Sequence, residues 1–419
     1  MWDDESVHLA RKVLLDAYAR ALAAVNGRAS VANALRRRDD FSPTHIVAIG
    51  KAASAMLQGA LDELPETPRQ ILLVTKYGHV DPQFRNRSDI VVIESGHPLP
   101  DEMSITAGRR LLQLIDDAGA DDVFLFLLSG GTSSLVEVPI PGLGLEQMRV
   151  INQQLLASGL DIHHVNAVRK RCSQIKGGRL LRHLGSRRAE VMLISDVPGD
   201  NVADIGSGLL CATDLPADLA TLPPTVRALI AAYEKTLVGS VSRDVSNTIV
   251  ARLVDAREAA AQYALAQQLP VFNCAEFIAG EARDVGETLA QRVMEGEPGF
   301  YIFGGETTVT LPPNPGRGGR NQTVALAAAR VLAGRDNVFF LAAGTDGTDG
   351  PGEDAGALVD GGTVLRGEEA GFDSENCLRC ADAGTFLEAS GDLIQTGPTG
   401  TNVMDLVLAY KTDTRVGNV

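Results

Sequence analysis

Short apolar runs alternate along the chain with stretches of helical periodicity. HIVAIG (45–50), ILLVTKYG (71–78), DIVVIESG (89–96), DVFLFLLSGG (122–131) and AEVMLISDVPGD (189–200) each read as a buried strand that stops at small or polar residues. Between them, AASAMLQGALDEL and residues 103–117 repeat apolar positions at helical spacing. Two more helical segments lie around 145–158 and 161–171. At the front, Val7, Ala10, Leu14, Ala17, Tyr18, Ala21 and Val25 share one helical face, and Gly27 supplies a stop. Strands alternating with helices predict an α/β fold with a parallel sheet covered on both faces.

The pattern then breaks. Residues 212–247, with Pro216, Pro223 and Pro224, read as irregular and as a domain border. Beyond it the chain predicts an alanine-rich helix over 248–268, a strand at PVFNCAE (270–276) and a helix at 281–294. GFYIFGGETTVTL (299–311) reads as strand–turn–strand centred on Gly304–Gly305. A Pro-, Gly- and Arg-rich loop follows, then the helix TVALAAARVL. NVFFLAAGTDGTDG (337–350) reads as a buried strand feeding an acid-rich loop. The tail around NVMDLVLAY ends in a helix or a strand.

Composition narrows the picture. At 419 residues the chain is too long for one ordinary core, so two domains are expected. Asp and Glu outnumber Lys and Arg by 53 to 38, a net charge of −15, which argues against nucleic acid or an anionic membrane as partner. A local cationic cleft for a small anion remains open. Five cysteines, an odd and low number, point to a reducing compartment, most simply the cytoplasm. Cys377 and Cys380 form a lone CxxC without a second pair. The N-terminus is amphipathic and lacks the basic start and apolar core of a signal peptide. No run approaches the roughly 18 apolar residues of a membrane span.

Candidate chemistry sits where predicted strands end. Gly50-Lys51 lies between a strand and a helix, where a lysine beside helix amides suits phosphate or carboxylate. An exposed lysine at a helix start is the plainer alternative. It is not a P-loop, because Ala52 follows the lysine. Ser129, Gly130, Gly131, Thr132 and Ser133, with Ser134, combine glycines and hydroxyls in a possible nest for phosphate; an ordinary glycine turn is the alternative. Arg169 and Lys176, in a basic stretch of an acidic chain, suit an anion's carboxylate or phosphate, and a solvated basic helix face explains them equally well. Asp196, in SDVPGD, suits a proton acceptor or a Mg²⁺ ligand, while Asp200 or Asp204 reads as a helix cap. Gly304, Gly305 and Glu306, then Arg320 in GRGGRNQ, and Asp346 and Asp349 in the acid-rich loop complete the set. That loop is expected at the carboxyl end of a parallel strand, where open α/β sheets hold ligands.

Such a set suits phosphoryl transfer, which asks for positioning, Mg²⁺, cationic donors and one base. A nicotinamide reductase would want GxGxxG after a strand, a zinc hydrolase HExxH, and a serine hydrolase GxSxG; none is present. A non-catalytic sugar-acid sensor leaves the acidic loops unexplained.

Taken in order, HIVAIGKAASAM, SGHPLPDE, LLSGGTSSL, NAVRKRCSQIKGGRL, SDVPGDN, IGSG, FGGETTVTL, GRGGRNQ, AAGTDGTDGPGEDAGA and GPTGTNVMDL resemble the glycerate 2-kinase family. The resemblance covers about residues 7–408. It implies a Rossmann-like α/β/α sandwich over 1–240, the family's amino-terminal kinase domain, and a smaller α/β MOFRL domain over 241–419. Residues 1–40 are left open to packing on the second domain. It also implies ATP-dependent phosphorylation of D-glycerate at its 2-hydroxyl, with a divalent cation, by a monomer or homodimer. Some relatives carry the name hydroxypyruvate reductase, which is the alternative activity. Carried onto this sequence, Lys51, Asp196 and Arg320 are expected in a cleft between the domains. Lys51 and Arg320 would stabilise charge, and Asp196 would be base or metal ligand. Ser129–Ser134 and Gly304–Glu306 would line the nucleotide or phosphate site. Arg169 and Lys176 would hold the substrate carboxylate, and Asp346 and Asp349 would hold Mg²⁺.

Overall fold

The computed structural model describes residues 4–38, 41–157, 162–211, 219–220, 222–237 and 245–413. The chain forms two compact units. One is Gly27–Ala251; the other combines Met1–Asn26 with Arg252–Val419. These borders differ from the 240/241 division drawn on the sequence, because the stretch that looked irregular contains the helix Pro224–Glu234 and a strand, Ser246–Ala251. Residues 212–218, 221 and 238–244 of that stretch lie outside the described residues.

The first unit holds β1 (His45–Ile49), β2 (Gln70–Lys76), β3 (Ile90–Ser95), β4 (Val123–Leu128), β5 (Arg188–Ile194) and β6 (Ser246–Ala251). Their order across the sheet is β3-β2-β1-β4-β5-β6, and every neighbouring pair is parallel. All five residues of β1 are buried, as its unbroken apolar sequence requires of a central parallel strand. Phe124, Phe126 and Leu128 of β4 pack with Leu111, Leu114 and Ile115 of the Glu102–Asp116 helix. That helix starts where Asp101 accepts the Ser104 N–H at 2.9 Å. A satellite cluster of Ile140, Leu143, Met148, Ile151, Val168 and Cys172 lies beside this core.

The second unit holds β7 (Val271–Glu281), β8 (Gly299–Thr308), β9 (Val338–Gly344), β10 (Gly356–Asp360), β11 (Leu393–Ile394) and β12 (Asp405–Lys411), in the order β11-β10-β9-β12-β8-β7. Only β7 and β8 run parallel; the other pairs are antiparallel. Two expectations are corrected here. Gly304 and Gly305 lie inside one continuous strand, not in a turn. Any side chain on Gly305 would run into the backbone of Ile278 on β7, so the glycines serve close strand approach. The acid-rich loop after β9 leads into the antiparallel hairpin partner β10, so it does not follow a parallel strand.

The Asp4–Ala24 helix belongs to this second unit. Its buried residues Leu14, Ala17, Tyr18 and Ala21 form the predicted face, and the helix packs on Leu253–Ala266, β9 and β12. The Tyr18 hydroxyl donates to the Gly344 carbonyl at 2.6 Å. Arg11 pairs with Asp360 and, at 3.0 Å, with Asp392.

Candidate active site at the carboxyl edge of the parallel sheet

Strand order reverses between β1 and β4: from β1 the chain builds β2 and β3 on one side, then returns to β4 on the other. In an open α/β sheet the crevice at such a reversal is where ligands bind. Ile49 of β1 is level with Leu128 of β4, and Leu128 with Leu193 of β5. Lys51, the Ser129–Ser134 turn and Asp196 therefore leave three adjacent strands at one height.

The β1 and β4 turns are stitched together. Gly50 has φ +130°, and any side chain there would strike Ser129. The Lys51 N–H donates to the Gly130 carbonyl at 2.8 Å, and the Ala52 N–H donates to Ser129 Oγ at 3.1 Å. Thr132 Oγ1 donates to the carbonyls of Ile49 at 3.0 Å and Ser129 at 2.7 Å. Ser129 and Thr132 are fully buried, so their hydroxyls serve the turn itself. Gly131, Ser133 and Ser134 are the members of the turn that border open space.

That space is a cavity of about 250 Å³ walled by His97, Pro98, Pro100, Met148, Glu137, Arg169 and Lys176 as well. It is smaller than the roughly 300–1,000 Å³ of sites for drug-sized ligands. Lys176 and Glu137 form a buried ion pair, and Glu137 Oε1 also accepts the Val138 N–H at 2.9 Å. Burial lowers the pKa of Arg169, while the nearby Glu137 carboxylate opposes that shift. Cys172, behind them, is pushed up to about 12 by burial and then by Glu137, so it is no thiolate nucleophile. The segment after β5 closes one side. Ser133 and Ser207 hydroxyls lie 2.7 Å apart, Lys170 reaches Asp204 at 3.3 Å, and Gly177 and Gly178 donate to Ser207 and Gly208. Glu137 and Met148 escaped the sequence reading. Glu137 is a lone acid in the apolar stretch LVEVPI, and that was the available signal.

The remaining candidates lie in the second unit. The Arg320 guanidinium donates to both oxygens of buried Asp405, at 2.6 and 3.0 Å, and to Glu306 at 2.6 Å. Burial opposes its charge, but the two carboxylates outweigh that and raise its pKa. Asp346 Oδ1 accepts the Thr348 N–H at 3.0 Å. Asp349 accepts the N–H groups of Asn321 at 3.0 Å and Gln322 at 2.8 Å, one on each oxygen. Asp349 is thus the cap of the Arg320–Leu332 helix, a poor fit to the expected metal ligand. Among the described residues no three carboxylate, imidazole or thiolate side chains converge on a metal site.

Burial pushes the Asp349 carboxyl up to about 7, against the pull of the two helix N–H donors. In an unfolded chain it titrates near about 3.9. Between those values the folded protein binds the extra proton, so stability should fall as pH rises from about 4 to 7 and level off above. Asp349→Asn should flatten this slope, which thermal melts of both proteins at pH 5 and pH 8 would read.

A parallel sheet with hydroxyls, cations and an acid at its reversal, joined to a mixed-sheet unit, defines a two-unit α/β protein. Residues 13–237 match the domain of unknown function DUF4147, and residues 299–405 match the MOFRL family. The chain is 35% identical to the D-glycerate 2-kinase of Thermotoga maritima over 97% of this chain and 99% of that one. It is 34% identical to the glycerate 2-kinase of Pyrococcus horikoshii, over 97% and 98%. A putative hydroxypyruvate reductase of Agrobacterium vitis is 37% identical over 97% and 94%. The crystal structure of the Thermotoga maritima glycerate kinase superposes with a TM-score of 0.82, covering 97% of this chain and 100% of that one at 33% identity. The chain belongs to the DUF4147–MOFRL family of glycerate kinases.

Proposed function

We propose that this protein is a glycerate 2-kinase that transfers the γ-phosphoryl group of ATP to the 2-hydroxyl of D-glycerate. The observation that carries this reading is the level alignment of Lys51, the Ser129–Ser134 turn and Asp196 on three neighbouring parallel strands. Asp196 takes the proton of the 2-hydroxyl as its oxygen attacks the γ-phosphorus, the bond to ADP breaks, and 2-phosphoglycerate forms. Lys51 stabilises charge on the transferring group. Arg320 is held in one orientation by Asp405 and Glu306, which is the preorganisation electrostatic catalysis needs. Arg169 holds the glycerate carboxylate; Lys176, matched by Glu137, contributes position rather than free charge.

Magnesium bound mainly through nucleotide phosphates needs only one or two protein carboxylates. Asp196 would fit as one such ligand if it does not serve as the base. The ion would neutralise charge on the phosphates.

Incubation of purified protein with D-glycerate, ATP and Mg²⁺ should yield ADP and an acid whose phosphorus NMR coupling places phosphate on carbon 2. Phosphate only on carbon 3, or none transferred, would count against the reading. The Agrobacterium relative keeps hydroxypyruvate reduction in view, and the strand order is shared with dinucleotide-binding sheets. The turn after β1, Gly50-Lys51-Ala52-Ala53, lacks the glycine fingerprint that such cofactors use. NADH oxidation on adding hydroxypyruvate would reverse the preference.

A further inference from the structure

We propose that Tyr77, just past the carboxyl end of β2, is the platform on which the base of the nucleotide donor stacks. This rests on the kinase reading for its ligand, but not for its test. Of the Phe and Tyr residues described, Tyr77 alone is exposed, at 55%. Its hydroxyl donates to Asp101 Oδ2 at 2.7 Å, so the ring reaches from the end of β2 to the segment after β3. Asp101 is itself held as the cap of the Glu102–Asp116 helix. On the other side of the ring's backbone, the Gly78 N–H donates to Glu94 of β3 at 2.7 Å.

The hydroxyl is thus already used, and what the residue presents is its π face. Among the described residues no aromatic ring or guanidinium stacks on it. A ring fixed at both ends has little freedom left to lose when a planar partner settles on it. Every base has such a planar face, so stacking holds a nucleotide without reading which base it carries.

The place in the sheet agrees. The order β3-β2-β1-β4-β5-β6 is that of dinucleotide-binding sheets, where the turn after the first strand takes phosphate and the chain further on takes the nucleoside's sugar. Val74 of β2 is level with Ile49 of β1, so Tyr77 emerges at the same edge as Lys51, one strand spacing or about 5 Å to the side. From the turn after β4 it is two spacings away, about 10 Å. In the other direction the segment after β5 already folds over that turn, with the Ser133 and Ser207 hydroxyls 2.7 Å apart. Pro100, the neighbour of Asp101, lines the cavity of the candidate site, so the ring stands beside the cavity wall.

Calorimetric binding of ADP and of inorganic tripolyphosphate, which has no base, to the full chain tests this. Tyr77→Leu should weaken ADP by on the order of tenfold and leave tripolyphosphate unchanged. Tyr77→Gln, which keeps a donor for Asp101 without the ring, should do the same and covers the case in which the leucine variant does not fold. Tyr77→Phe keeps the ring without the hydroxyl and should bind ADP nearly as the wild type does. Wild-type ADP affinity in a folded Tyr77→Leu or Tyr77→Gln protein overturns the platform. So does an equal loss in Tyr77→Phe and Tyr77→Leu, which would put the effect in the bond to Asp101, or a loss shared by ADP and tripolyphosphate. A wild-type chain that binds no ADP overturns it as well. In each of these cases the kinase reading stands if D-glycerate is phosphorylated. Ring-dependent ADP affinity in a protein that transfers no phosphate supports the platform and overturns the kinase reading.

Discussion

Asp196→Asn is expected to lower kcat for D-glycerate phosphorylation by about 10²–10⁴-fold, the usual worth of a positioned general base. The substitution keeps size and hydrogen-bonding capacity and removes proton affinity. Asp196 follows β5 where the segment up to Ser207 folds back over the β4 turn, so the group is placed by the sheet and not by substrate. Losses in kcat and kcat/KM should match, because the interaction exists only as the hydroxyl is deprotonated. Steady-state kinetics with a melting curve separates this from unfolding. Turnover near wild type in a folded Asp196→Asn protein would remove the base from the mechanism.

Glu137→Leu is expected to be the most damaging change to stability in the parallel unit. Glu137 is fully buried, Lys176 is 2% exposed, and the two face each other. Removing one partner leaves a buried ammonium without a countercharge, which costs about 3–5 kcal/mol. The melting temperature should drop by on the order of 10 °C for a unit of this size. Glu137→Leu combined with Lys176→Met should recover most of the loss, because two well-packed apolar groups often replace a buried pair without cost. Two independent losses that simply add would show that the pair is not coupled.

The parallel sheet was open to reading because its inner strands are apolar runs punctuated by small residues. β6 was missed: SNTIVA is half-buried and runs almost directly into a helix, so its strand character rests on pairing with β5. β8 misled in a different way. Gly304 and Gly305 look like a turn, yet they are glycine because Leu253, Arg257 and Ile278 leave no room for a side chain. At the site, Lys51, the Ser129 turn and Asp196 were legible as strand-end residues. Ser129 and Thr132 were read as ligand groups because sequence does not show where a hydroxyl points. Asp349 was read as a metal ligand because its bond to Asn321 and Gln322 joins segments far apart in the chain. Met148 was invisible, since an apolar residue at helical spacing reads as core.

The placing of β12 between β8 and β9 has a consequence for biosynthesis. The ribosome makes this strand after every other member of its sheet, yet it is the one that joins the two halves. Until it emerges, β8 and β9 each carry an open row of amide and carbonyl groups, and such rows invite pairing between nascent chains. The Asp4–Ala24 helix waits longer still, through the whole of Gly27–Ala251, for the strands it covers. A cell making this protein quickly should therefore load its chaperones with the mixed-sheet half rather than with the parallel one.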